Sequence, residues 1–309
     1  MKVLIIAKCH HRHLNGILIF HEALRQNKDV DLVCYDDGFS NVINQIKEYE
    51  PDWVFQTGYG VFSRKQEEEI KKYAKLLIWN PDSIDEDRKK IWLGLKGVPD
   101  IILSSHLCVA QFLNQNRVGK YNFFVPQYYD DEYYKFTQDR LDPKQQIYDV
   151  CFIGAGDRRR IRWCQEISRL FKTAICGIIG GRRKNNVYGS EMANTYRQSK
   201  IVIDMPWVKF PCTDDYDTSD RIYKAMGCGA FYLTYPIRKL DLFFRTGYHL
   251  DTYSPVELKP LIEKIRYYLA RNKEREMIAL QGQKEVLLKH TLRTRLQEMW
   301  DKMEGLEEC

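Results

Sequence analysis

Short apolar runs alternate with amphipathic stretches along the whole chain, at the spacing of strand–helix units. Residues 3–7, Val-Leu-Ile-Ile-Ala, read as a first strand buried on both faces. Further strands are predicted at 30–35, 53–57, 76–79, 101–104 and 122–125. Helical periodicity marks 16–27, 41–49, 63–74 and 107–116, with Ser63 placed as a cap. This alternation predicts a parallel sheet covered on both faces, a Rossmann-like unit. Residues 126–148, rich in Tyr, Asp, Gln and Pro, break the rhythm as a linker would. A second α/β unit follows, with strands at 149–153, 173–176, 201–204 and 230–234. Its helices are predicted at 160–171, 191–198, 221–226, 255–272, 273–290 and 293–305. The expected fold class is α/β: two Rossmann-like domains facing across a cleft, spanning 1–126 and 149–309, with 127–148 between them.

Composition narrows the class. A chain of 309 residues has the length of about two domains. With 44% hydrophobic and 13% aromatic residues it has ample material for cores, which excludes disorder as the main state. No apolar run approaches the roughly 18–20 residues of a spanning helix, and the N-terminal run is too short for a signal peptide. The nine cysteines include no CxxC pair. They are expected to be reduced thiols in a cytoplasmic protein with no membrane span.

The net charge of +6 is unevenly placed. Residues 1–150 hold 20 Lys and Arg against 22 Asp and Glu, whereas 151–309 hold 28 against 20. The window 151–211 alone carries 12 basic and 4 acidic side chains. Such a concentration implies an anionic ligand, whether phosphate, nucleotide or nucleic-acid backbone, with a solvated basic face as the plain alternative.

Two stretches in that half carry candidate chemistry. Gly154-Ala155-Gly156 stands between a strand and a helix, where backbone N–H groups meet phosphate oxygens. A dinucleotide fingerprint would want glycine at 159, which is Arg159, and an acid ending the next strand, which is absent. Arg158, Arg159, Arg160 and Arg162 oppose the positive helix end unless an anion lies between, which favours a diphosphate; pairing with surface carboxylates is the alternative. The second stretch runs from Asp217 to Ala230. Ser219 or Asp220 can cap its short helix, Gly227 and Gly229 end it, and Arg221 and Lys224 share a face that could clamp phosphate or a sugar hydroxyl. A structural helix and turn would show the same pattern.

Taken together, several stretches resemble the C-terminal domain of CgeB-like (spore-maturation protein-like) glycosyltransferases. They are Asp149-Val150-Cys151-Phe152-Ile153-Gly154 with Arg160, Tyr196-Arg197-Gln198-Ser199-Lys200-Ile201, and Ser219-Asp220-Arg221-Ile222-Tyr223 through Cys228-Gly229-Ala230. The tail adds Tyr267-Tyr268-Leu269, Arg275, Ile278-Ala279, Gly282, His290-Thr291 and Arg295. The resemblance covers about 149–296, and Trp79-Asn80-Pro81-Asp82 with Pro126 extends it loosely. It implies the GT-B fold and transfer of a sugar from a nucleotide-diphosphate donor to a hydroxyl acceptor, independent of metal and of any cofactor. The donor would sit on the 149–309 domain, against Gly154, Gly156, Arg158, Arg160, Tyr196, Ser219, Arg221 and Lys224. The family commonly has a ribose-binding glutamate where this chain has Lys224, which carries no acceptor atom while charged. Asp217 and Asp220 are the nearby substitutes. Arg160→Ala or Arg221→Ala is expected to lose donor affinity in an intact fold.

The same resemblance makes 1–126 the acceptor side. His10, His11 and His13 follow the first strand and could bind a sugar or, as His11 and His13, act as base. Without a distant partner motif they do not read as a metal site, and ordinary exposed histidines would look alike. Asp82 is the best carboxylate base, or else the cap of the next helix, and His106 is a further acceptor-side candidate. The acceptor would be a surface glycan or protein, or a hydroxymethylated pyrimidine in double-stranded DNA, as for phage DNA glycosyltransferases. A non-catalytic sugar-nucleotide-binding module of the same fold is the other reading.

Overall fold

The computed structural model describes residues 1–8, 15–58, 60–130, 141–179, 182–184, 187–206, 219–237 and 239–306. The chain divides into two compact units, one of Met1–Gln127 with Leu292–Cys309 and one of Tyr128–Thr291.

In the first unit the apolar runs become strands, with β1 at Lys2–Ala7, β2 at Asp29–Cys34, β3 at Trp53–Thr57, β4 at Lys75–Asn80, β5 at Ile101–Ser104 and β6 at Tyr121–Phe124. The helices between them are α1 (Asn15–Arg25), α2 (Phe39–Tyr49), α3 (Arg64–Ile70), α4 (Glu86–Gly94) and α5 (Leu107–Asn116). All six strands are parallel, in the order β2-β1-β3-β4-β5-β6. Chain direction across the sheet therefore reverses between β1 and β3, opening a crevice at their carboxyl ends. Leu4, Ile6, Val54, Leu76, Ile78 and Ile102 lead one core face, packed against Val42, Ile46 and Trp92 from the helices. Burial on both faces explains why these strands read as continuous apolar runs.

In the second unit the strands are β7 (Tyr148–Ile153), β8 (Thr173–Ile179), β9 (Arg182–Lys184), β10 (Ser199–Ile203), β11 (Phe231–Thr234) and β12 (Asp251–Thr252). Its helices are α6 (Arg158–Leu170), α7 (Gly189–Arg197), α8 (Arg221–Gly227), α9 (Leu258–Ala270) and α10 (Asn272–Lys289). The sheet order is β12-β11-β10-β7-β8-β9, parallel except for the antiparallel edge strand β9. The reversal lies between β7 and β10. Val150, Phe152, Ile201 and Ile203 form the core there with Trp163, Ile167, Leu261 and Ile265.

Three features differ from the sequence reading. The final helix, α11 (Leu292–Glu304), counts with the first unit, although the sequence alone runs the second domain on to residue 309. Leu292, Leu296, Met299, Trp300 and Met303 are its buried face, Trp300 Nε1 donates to Gln26 Oε1 at 3.0 Å, and Arg293 Nε donates to Glu22 Oε1 at 2.8 Å. An amphipathic stripe shows that a helix is buried without showing against which core. Cys34 is disulfide-bonded, which corrects the expectation of reduced thiols throughout; Cys108, Cys151, Cys164, Cys176 and Cys228 form no disulfide. The edge strands β9 and β12 were not anticipated, being three and two residues long.

Where the chain passes between units it does so twice, after Gln127 and after Thr291. Tyr129 N donates to His290 O at 2.8 Å and pairs with Thr291 as an isolated parallel bridge, while Arg295 Nε donates to Gln127 O at 3.4 Å. No described helix is long and apolar enough to cross a membrane.

Candidate functional site

At the carboxyl ends of β7 and β8, beside the strand-order reversal of the second unit, two glycines decide the local geometry. Gly177 in β8 has φ +118, and a Cβ there would lie 2.2 Å from Gly154 O. Gly154 N donates to Cys176 O at 3.0 Å, so the ends of β7 and β8 run unusually close. A Cβ on Gly154 would in turn meet Arg221 Nη2 at 2.3 Å. Bare backbone at Gly154 is what admits the Arg221 guanidinium beside it, and bare backbone at Gly177 is what admits the Gly154 carbonyl.

Arg221 opens α8 and is buried. Its Nε donates to Ile153 O at 2.6 Å, and its Nη1 donates to Asp204 Oδ1 and, at 3.3 Å, to Ser219 Oγ. Asp204 follows β10 and is 2% exposed. Its Oδ1 also accepts the Met205 N–H at 2.8 Å, its Oδ2 accepts the Tyr232 hydroxyl at 2.9 Å, and its carbonyl accepts the Tyr253 hydroxyl at 2.7 Å. Burial alone would lower the Arg221 pKa, but the Asp204 carboxylate outweighs it and the guanidinium is held more firmly protonated than usual. Burial and Asp204 both push the Tyr232 phenol well above its ordinary range.

Arg160 is buried too, but its donors go to backbone carbonyls: Nε and Nη2 to Met205 O, the former at 3.0 Å, and Nη1 to Ala155 O at 3.1 Å. Desolvation, then the nearby Arg221 charge, lowers its pKa. The helix-dipole tension expected at the start of α6 is answered by the chain itself, because Asp157 caps that helix and accepts the Arg160 N–H at 2.8 Å. Arg159 turns away, donating to Pro255 O and stacking 4.5 Å from the Trp163 ring. Arg158 and Arg162 are exposed.

A cleft of about 390 Å³ opens beside these groups. Ile153, Gly154, Ala155 and Gly177 form one wall, Val187, Tyr188, Met192 and Tyr196 a second, and Asp220, Arg221 and Lys224 a third. Of the residues expected to bind donor, the structure thus gathers Gly154, Tyr196, Arg221 and Lys224 around one cavity. Ser219 stands behind Arg221, whose N–H and Nη1 it accepts at 3.3 Å each. Gly156 and Arg160 border a separate narrow crevice, and Arg158 lines neither. Lys224 is ion-paired with Asp220 one helical turn earlier. Burial acts to raise the Asp220 pKa, and the Lys224 and Arg221 charges outweigh it, so that this carboxyl stays ionised below its usual range.

In the first unit, Asp82 and His106 come to the same rim, at the carboxyl ends of β4 and β5. Asn80 Nδ2 donates to Asp82 O at 2.8 Å, and its Oδ1 accepts the Asp82 N–H at 3.3 Å. The Pro81 carbonyl between them lies 3.2 Å from His106 Nε2 and accepts Gln127 Nε2 at 2.9 Å. Asp82 is exposed; His106 is buried and precedes α5. The cap of α4 is Asp85, which accepts the Arg88 N–H at 2.9 Å, so Asp82 does not take the capping role open to it in sequence. His10, His11, His13 and Asp217 lie outside the described residues. Among the described residues, no three His, Cys, Asp or Glu come together as metal ligands.

Sequence reading missed Asp204 and Gly177. Asp204 carries one signal, a carboxylate ending an apolar strand in a basic window; Gly177 carries none, since its need is set by Gly154 on another strand.

No curated protein matches the sequence. The profile of the family described as glycosyl transferase-like matches residues 139–301, just over half of the chain. Among solved structures, HepE of Anabaena in complex with UDP and glucose is similar over 99% of this chain and 100% of its own, at 12% identity and a TM-score of 0.66. Sucrose-phosphate synthase from Thermosynechococcus elongatus covers the same shares at 11% identity and a TM-score of 0.70. A Listeria monocytogenes protein described as a UDP-N-acetylglucosamine 2-epimerase matches 100% of this chain and 97% of its own, at 10% identity and a TM-score of 0.63. The two parallel-sheet domains are those of GT-B glycosyltransferase structures.

Proposed function

Because the chain belongs to the glycosyl transferase-like family, we propose that it moves a sugar from a nucleotide-diphosphate donor, a UDP-sugar, to a hydroxyl acceptor. The observation that carries this reading is the cleft in the second unit, lined by the bare backbone of Gly154 and Gly177 and by the Arg221 and Lys224 cations. Fixed cations in a partly enclosed site stabilise a departing diphosphate without a metal ion. UDP is the favoured carrier because HepE is seen with UDP and with UDP-glucose. Lys224 takes the phosphate charge, and the ionised Asp220 carboxylate beside it accepts the ribose hydroxyls that a glutamate would take in CgeB-like members. On the first unit Asp82 is the candidate base, His11 and His13 the alternatives, and His10 and His106 acceptor-side groups.

A thermal-shift panel of UDP, GDP, TDP, CMP and NAD, then the matching nucleotide sugars, tests the donor site. UDP and one UDP-sugar are expected to raise the melting temperature; saturation at about 100 times Kd stabilises by about 2.7 kcal/mol. A weaker shift with 2′-deoxy-UDP reports the Asp220 contact. No shift with any nucleotide would overturn the reading, as would selective binding of NAD. Binding without transfer or hydrolysis would favour the non-catalytic module, for which Lys224 in place of the glutamate speaks. Epimerisation must be assayed alongside, since one neighbour shares this fold with that description.

The acceptor class divides between a surface glycan or protein and modified duplex DNA. Arg158, Arg162 and Arg169 are exposed at spacings that place them on one face of α6, which favours a polyanion. On DNA, activity is expected to fall steeply between 50 and 200 mM salt, roughly 10³-fold or more for six phosphate contacts. Indifference to salt would remove DNA as acceptor.

A further inference from the structure

Glu67 lies in the run Glu67-Glu68-Glu69 of α3, which reads as a solvated acidic face, yet its side chain is 0% exposed. It meets Gln56, also fully buried, near the end of β3, one of the two strands at which the first sheet reverses. Gln56 Nε2 donates to Glu67 Oε1 at 3.0 Å and to Gly58 O at 3.3 Å. Among the described residues, Gln56 Oε1 and Glu67 Oε2 are buried without any hydrogen-bond partner. Two acceptor atoms left bare in one buried pair cost a few kcal/mol together, and an ionised carboxylate there costs more.

One proton resolves both. A carboxylic acid has an O–H donor, and an acid facing an amide can close a ring of two hydrogen bonds, N–H to the acid carbonyl and O–H to the amide carbonyl. We propose that Glu67 is a protonated positioning residue, closed with Gln56 into a neutral acid–amide pair that fixes the Gly58 carbonyl at the mouth of the β1–β3 crevice. Among the described residues no charged side chain contributes to its titration; burial raises the carboxyl from 4.5 to about 7, partly offset by the Gln56 hydrogen bond. Gly58 has φ +93, and its N–H donates to Trp79 O at 2.8 Å, so the pair holds a turn that also ties β3 to β4. That this turn serves the acceptor rests on the function proposed above; the protonation does not.

The sign follows from linkage. A folded-state pKa above the unfolded value makes stability fully present below about 4.5 and lost as pH rises through about 7. The first test is the melting temperature from pH 5 to 8.5 for the wild type and Glu67→Gln, which retains the shape and can pair as amide with amide. The wild type is expected to lose several degrees more than the variant over that range. In parallel, infrared spectra at pH 6 are expected to show a buried protonated carboxyl band that Glu67→Gln removes. Superimposable melting curves, or no such band, would overturn the proton assignment. Amide exchange of Gly58 separates positioning from mere stability: relative to Glu67→Gln, the wild type is expected to exchange faster above pH 7. Equal exchange across the range would overturn the positioning role.

Discussion

Arg221→Met is expected to abolish UDP binding and to destabilise the second unit by about 3–5 kcal/mol, the usual cost of leaving a buried charge without its partner. Asp204, 2% exposed, would keep its hydrogen bonds from Tyr232 and Met205 and lose its countercharge. From sequence the fold should tolerate the change; the structure reverses that, because Arg221 is joined to Asp204 and to the end of β7 at Ile153. A double variant, Arg221→Met with Asp204→Asn, separates the two roles. It removes the stranded charge and is expected to recover most of the urea midpoint while remaining unable to bind UDP. If the single variant unfolds at the wild-type urea concentration, the pair is not the keystone described, and if the double variant binds UDP, Arg221 does not serve the ligand.

The other large effect is expected at Gly177. Its φ of +118 disfavours any L side chain, and its missing Cβ leaves the space that Gly154 O occupies at 2.2 Å. Gly177→Ala therefore combines backbone strain with a clash against main chain that has no flexible end to move, about 3–5 kcal/mol in all. Gly247 is the control, with φ +76 and nothing within 4 Å of a built Cβ. Gly247→Ala bears only the backbone term, about 1–2 kcal/mol. Urea unfolding of both variants checks the contrast; equal losses would mean that the close approach of β7 and β8 contributes nothing.

How far the sequence reveals this molecule depends on whether the deciding partner is local. Residues 3–7 and 101–104 read as strands because burial on both faces needs nothing but their own apolar side chains. The turn at 154–156 was legible for the same reason. The Arg221–Asp204 pair was not: the two are 17 positions apart, and nothing local shows that a cation in a basic window is also anchored by a buried carboxylate. Glu67 was hidden by its neighbours, since three glutamates in a row suggest solvent, and only the position of β3 turns one of them inward. Asp82 against Asp85 is a choice between two good caps three residues apart, decided by where the backbone turns into the helix. Several residues of the cleft lining were legible in their types, and which arginines are held by the protein's own carboxylates and carbonyls was not.

The hydrogen bond between Tyr129 and His290 has a consequence at the level of the gene. The second unit is one uninterrupted stretch of sequence whose two ends lie side by side, 2.8 Å apart at this bond, while Arg295 and Gln127 bring the ends of the first unit together. A segment with adjacent ends can be inserted, excised or exchanged without rerouting its host, as in circular permutation and domain insertion. Residues 128–291 thus form a cassette, and residues 127 and 292 mark the junction that a short linker would close in its recipient. Recombination at these two points offers evolution, or an engineer, a way to change the second unit while inheriting the first intact.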